Sequence, residues 1–277
     1  MSSRARRQFA AACLSSLGLL AASAHALEIE AHTQGQAGTN TQRDDQGPAS
    51  SGALFASSVF AGTSLIGGGG PAAALAAQDD LGFAAVRVDG ACTGRDRLSL
   101  QSSTLWHGSR VNPGNHAVEY LYQFHITAPR LTLFELNPLG AVASSATWRI
   151  DVRFGNRSLF AASATVTGGS HSFVLQQTGT SLGGRFFGNP ATHTFGYDFS
   201  AFDGLVSLGL FDPGQGPDVE TILSTSLLCA EPGDGARGEV GDPLDIKGDP
   251  GVNGVIIESE AVSVTPATWS AIKGFYR

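Results

Sequence analysis

The chain has 277 residues, with 17 basic and 24 acidic side chains, a formal charge of −7, and 36 glycines and 12 prolines. An acidic balance disfavours nucleic acid and anionic lipid as partners. Helical periodicity is scarce and period-2 alternation is common, which argues against a helical bundle.

Residues 1–7 hold Arg4, Arg6 and Arg7 and no acid, residues 9–20 are apolar or small, and Ala24-His25-Ala26 places small residues at an A-x-A cleavage site. This is the three-part layout of a secretory signal, expected to be removed after Ala26. The apolar stretch is too short to span a bilayer, and no later segment has the roughly 20 apolar residues of a membrane helix. The mature chain is expected to lack a transmembrane segment. Cys13 follows Arg7 too closely for an apolar core to precede a lipid-attachment site. Cleavage leaves 14 basic against 24 acidic residues, a formal charge of −10.

The mature chain keeps Cys92 and Cys229. In an oxidising compartment two cysteines read as a disulfide, with two buried thiols as the alternative. Neither lies in a CxxC spacing that would suggest zinc.

Residues 27–80 read as an N-terminal strand and Gly/Ser-rich loops, with a loose loop at 34–52 and a glycine hinge at 67–70. A β-sandwich is expected over 81–230. Tyr120, Tyr122, Phe124 and Ile126 alternate with Glu119, Gln123 and His125. Trp148, Ile150, Val152 and Phe154 alternate with Arg149, Asp151 and Arg153. Phe195, Tyr197 and Phe199 alternate with Gly196, Asp198 and Ser200. Each set predicts a strand with one buried and one wet face. Turns are expected at 112–115, 155–156, 168–169, 183–184, 203–204 and 212–214. The fold class is therefore all-β, an antiparallel β-sandwich that is jelly-roll-like. Residues 231–277 read as a Gly/Asp/Pro-rich linker and a helical tail. In that tail Thr265 suits an N-cap and Pro266 the first helical position, and Trp269, Ile272 and Tyr276 share one side. A short C-terminal amphipathic helix is expected there.

Tyr197-Asp198-Phe199, then 206–214 (VSLGLFDPG) and Val219-Glu220, with Pro266-Ala267-Thr268-Trp269 near the end, resemble exported bacterial β-sandwich proteins of the PEP-CTERM type. The resemblance implies an envelope or extracellular setting, often alongside exopolysaccharide, and no reaction. Thr265 stands where that family's Pro-Glu-Pro has its glutamate, and Lys273 interrupts the tail.

No catalytic motif emerges. Gln123-Phe124-His125 matches one strand of jelly-roll polysaccharide lyases, but their Arg-x-Glu-Leu and Tyr-x-Lys-x-Gly partners are absent. Glu119, Asp151, Asp198 and Glu220 lie on expected strands, where a glycosidase would need two of them facing each other. Asp242, Asp245 and Asp249 are weak calcium candidates, in a spacing unlike an EF-hand loop. Trp106, Tyr120, Tyr122 and Trp148 are candidate rings for stacking on sugars. The leading expectation is a secreted or cell-surface, non-enzymatic protein of the matrix or envelope, with extracellular polysaccharide or surface proteins as partners. The alternatives are a carbohydrate-binding module and a lyase or glycosidase.

Overall fold

The computed structural model describes residues 29–49, 52–61, 68–78, 82–92, 97–134, 143–169, 172–244 and 249–259. The signal segment 1–26, Asp245 and the expected helix at 265–277 lie outside these residues. Seventeen strands run in chain order: β1 (Ile29–Ala37), β2 (Asn40–Ala49), β3 (Gly52–Ala61), β4 (Gly68–Gln78), β5 (Gly82–Cys92), β6 (Leu98–Ser109), β7 (Val118–Ile126), β8 (Arg130–Phe134) and β9 (Ser144–Phe154). They continue with β10 (Arg157–Gly169), β11 (Ser172–Gly179), β12 (Gly184–Asn189), β13 (Thr194–Phe199), β14 (Phe202–Phe211), β15 (Asp218–Cys229), β16 (Gly235–Val240) and β17 (Val252–Glu258). Among the described residues the only helical element is the 3-10 turn Pro190–Thr192.

The strands form two antiparallel sheets. One has seven strands in the order β11-β10-β9-β15-β6-β1-β2. The other has ten and forks at β5. One edge of β5 carries β4, which carries β3. The other edge is shared: β16 pairs with residues 86–91 of β5, and β17 with residues 82–84. From β16 a wing continues through β8 and β13 to β12; from β17 a second wing continues through β7 to β14.

Alternation explains the core. Leu98, Leu100, Trp106, Trp148, Ile150, Val152, Val219, Leu223 and Leu227 project inward from the first sheet. They meet Val86, Val88, Tyr120, Tyr122, Ile126, Leu131, Leu133 and Phe199 from the second. Trp148 packs edge-on against Phe199 at 4.9 Å between centroids, and Phe124 stacks with Tyr122 at 5.5 Å. Cys92 ends β5 and Cys229 ends β15, and the two are joined by a disulfide that ties one sheet to the other. The closed loop spans 137 residues, for which the chain-entropy model gives about 5 kcal/mol.

Several sequence expectations are corrected. Residues 34–49 of the loop expected at 34–52 belong to the β1–β2 hairpin, and Gly52 opens β3. β2 lies at a sheet edge with no fully buried position, so no alternation marks it. Residues 68–70 of the expected glycine hinge belong to β4, whose sequence GGGPAAALAAQ has no polar–apolar contrast. The linker expected from 231 contributes β16 and β17, two strands central to the second sheet. A glycine hides the pattern in β17, because the Tyr122 hydroxyl occupies the inner-face space of Gly254, 2.0 Å from where a Cβ would stand. The turn expected at Asp203-Gly204 lies inside β14; β13 and β14 run in the same direction, and residues 200–201 step from one wing of the sheet to the other. A Cβ on Gly204 would meet Phe124 Cζ at 2.2 Å. Asp151, expected on a wet face, is buried between Arg149 and Arg153, both of which donate to its Oδ2.

Candidate functional site

The four rings offered as sugar platforms are in the core. Trp106 is 4 % exposed, and Tyr120, Tyr122 and Trp148 are 0 % exposed. They fill the space between the sheets because inward positions of a sandwich need large apolar volume, so none can stack on an outside ligand. Gln123 is exposed on the outer face of β7, and His125 beside it donates from Nδ1 to Asp203 at 2.7 Å.

Among the described residues, one concavity lies where the second sheet forks. Three connections from one wing to the other flank it: residues 127–129, residues 200–201, and the link from β16 to β17, of which 241–244 and 249–251 are described. They are bound to one another and to the strands. Thr127 N donates to Gly251 O at 2.7 Å, Phe199 N to Pro129 O at 2.9 Å, and Asp242 N to Asp249 O at 2.9 Å. Gly241 and Gly251 both have positive φ, at 72° and 76°. A Cβ on Gly241 would lie 2.4 Å from Gly251 Cα, so the crossover closes only with glycine there. The cleft measures about 610 Å³ and is lined by Ala128, Pro129, Arg130, Gly184, Arg185, Asp198, Phe199, Ser200, Glu239 and Asp249.

Strand register builds its charge pattern. Arg185 on β12 pairs with Asp198 on β13, Asp198 with Arg130 on β8, Arg130 with Glu239 on β16, and Glu239 with Arg87 on β5. Five neighbouring strands thus present an alternating row of guanidinium and carboxylate groups. Arg130 Nε donates to Asp198 Oδ1 at 2.5 Å. The other steps are longer: Arg185 to Asp198 at 3.7 Å, Arg130 to Glu239 at 3.9 Å, Arg87 to Glu239 at 3.8 Å. Burial raises the pKa of Glu239 above the usual carboxylate value; Arg87, Arg237 and Arg130 oppose the rise and Asp249 adds to it. One pleat row further along, Arg237 Nε donates to Asp89 at 2.8 Å.

Of the four strand carboxylates weighed for a glycosidase, Glu119, Asp151, Asp198 and Glu220, only Asp198 lines this cleft. Glu119 accepts from Ser207 on the other wing, and Asp151 and Glu220 belong to the opposite sheet. Glu239, Arg130 and Arg185 carried no motif, and only the register brings them together. Asp242 uses Oδ2 to accept from Arg87 at 3.0 Å and Oδ1 to accept from the Leu244 amide at 3.0 Å. Asp242 thus serves the crossover as a brace. Asp249 lines the cleft. Among the described residues no group of three or more His, Cys, Asp or Glu side chains is placed to hold a metal ion. Among the same residues no helix is long and apolar enough to cross a membrane.

The sequence matches no protein-family model and no curated protein.

Proposed function

We propose that this is an exported, non-catalytic β-sandwich protein of the extracellular matrix or bacterial envelope, acting in adhesion or as a structural part of extracellular polymer. The observation that carries the reading is the Cys92–Cys229 bond between the two sheets, a covalent tie that proteins keep in oxidising compartments. The signal-like segment 1–26 and the resemblance to PEP-CTERM-type proteins support the same setting, with a helical tail at 265–277 as a recognition tag. The cleft carboxylate Asp198 is engaged by guanidinium groups, which suits a binding surface better than proton transfer. The test is to express the chain in its own host and fractionate the cells. The expected product lies outside the cytoplasm, begins at Leu27 by mass, and shows no free thiol until reduced. Retention of residues 1–26 on cytoplasmic protein overturns the reading, and so does turnover of any member of a glycan panel by the purified chain.

The alternative reading, carbohydrate binding, is favoured by a specific observation. The cleft presents hydrogen-bond donors and acceptors in alternation across neighbouring strands. Its location differs from the four rings that the sequence suggested.

A further inference from the structure

The outer face beside the cleft carries a feature the sequence reading passed over. Phe187 on β12 pairs with Gly196 on β13. A Cβ on Gly196 would lie 2.1 Å from Phe187 Cζ, so the ring lies across the bare backbone of Gly196. On the same face Phe134 of β8 lies over Gly235 of β16, where a Cβ would meet its Cε2 at 2.1 Å. Two strands across and one pleat row along, the two rings stand roughly 12 Å apart. The Arg130 guanidinium stands over the half-buried Phe187 ring at 5.7 Å from its centroid, near the outer limit of a cation–π contact.

We propose that this face binds a chain of neutral hexopyranose units, with Phe187 as the stacking platform and Arg130, Asp198 and Arg185 as hydrogen-bonding partners. The proposal rests on the alternative, carbohydrate-binding reading given above and names the site. A pyranose offers a face of C–H groups and a rim of hydroxyls that both donate and accept. The flat ring suits the first, and the alternating guanidinium–carboxylate row suits the second. Arg185 is 83 % exposed and only loosely held by Asp198, so most of its donors face solvent. The cleft lining has two guanidiniums against three carboxylates, leaving no surplus cation for a uronate, sulfate or phosphate. Two rings on one face suit an oligosaccharide rather than a single sugar.

A ring laid over a cross-strand glycine also stabilises a sheet by itself, and the experiment separates the two roles. The purified full chain is titrated calorimetrically with gluco-, galacto- and mannohexaose and with hexagalacturonate. Phe187→Leu, Phe187→Trp and Arg185→Ala are compared, and the thermal midpoint of each is recorded. At least one neutral hexaose is expected to bind. Phe187→Leu, which still covers Gly196, should weaken it tenfold or more with the midpoint moved by a few degrees at most. Phe187→Trp should retain binding, and Arg185→Ala should weaken it. The proposal is overturned if no neutral hexaose binds at millimolar concentration, if Phe187→Leu binds as well as the wild type, or if only the uronate binds. Cell fractionation is scored separately. Protein retained in the extracellular polymer fraction without hexaose binding sinks this site and leaves the broader reading standing.

Discussion

Tyr122 shows what one buried polar atom does in this core. Its ring stacks between Trp106 and Phe124, and its hydroxyl meets Thr221 Oγ1 at 3.3 Å. Burial pushes the phenol far above its ordinary value of 10.0, with the Thr221 hydrogen bond opposing the rise, and Tyr120 moves in the same direction. Alkaline titration followed by near-ultraviolet absorbance should therefore leave Tyr122 un-ionised well above pH 10, and Tyr120 should ionise later than a free phenol. Tyr122→Phe should cost about 1 kcal/mol in urea unfolding, because Thr221 loses its partner. His32 gives the other pH-dependent signal. Burial lowers its pKa, but hydrogen bonds and charge from Glu30 and Asp45 outweigh this, and the net shift is upward from 6.5. Asp45 is lowered, first by Arg43 and then by His32. A raised imidazole pKa gives stability that is fully present below 6.5 and is lost as pH rises through the folded value. The depressed carboxylate gives stability that is lost only as pH falls through its own folded value. Thermal melts should show the midpoint falling from pH 6 to pH 8 in the wild type and falling less in His32→Gln.

At the scale of elements, the glycines in strands are spaces for neighbouring side chains. Gly204→Ala puts a methyl group 2.2 Å from Phe124 Cζ and should destabilise by about 1–3 kcal/mol through overpacking. A turn glycine at that position would tolerate the change, so a urea melt of this one variant distinguishes the two placements. The same feature divides what was legible in the sequence from what was not. β7, β9 and β13 read correctly because large apolar side chains alternate with mostly polar ones, as in Trp148-Arg149-Ile150-Asp151-Val152. β16 and β17 did not, because Gly238 and Gly254 stand at buried positions and erase the contrast on which the period depends. β2 failed for the opposite reason: an edge strand wet on both faces has no contrast to show. The cleft was hidden for a topological reason. Arg130, Asp198 and Glu239 are separated by long stretches of chain, and only the β13–β8–β16 register aligns them. Phe187 gave no signal because its meaning depends on Gly196 across the strand pair.

For the whole molecule, the two sheets are held by their apolar interface and by one covalent bond at the end of β5 and β15. Around that bond the chain is closely tied. Cys92 N donates to Asp234 O at 2.9 Å, Gly233 N to Cys92 O at 2.9 Å, and Ser144 Oγ to the buried Asp234 carboxylate at 2.5 Å. Replacing both cysteines by serine should lower the unfolding free energy by about 2–5 kcal/mol. In denaturant melts the midpoint should fall while the secondary structure at low denaturant stays β-rich. A melt unchanged by reductant would refute a stabilising role for the bond.

The fork at β5 has a bearing on biogenesis. A chain delivered N-terminus first presents residues 82–92 well before 235–240 and 252–254 arrive to pair with them. Over that interval one side of the strand has open amide and carbonyl groups, able to recruit a neighbouring polypeptide. Closure waits for β16 and β17, so nascent material is vulnerable until both have been made. A chaperone that shields extended backbone during delivery would raise the yield of the native form, and a stop codon placed just before residue 235 should give aggregates.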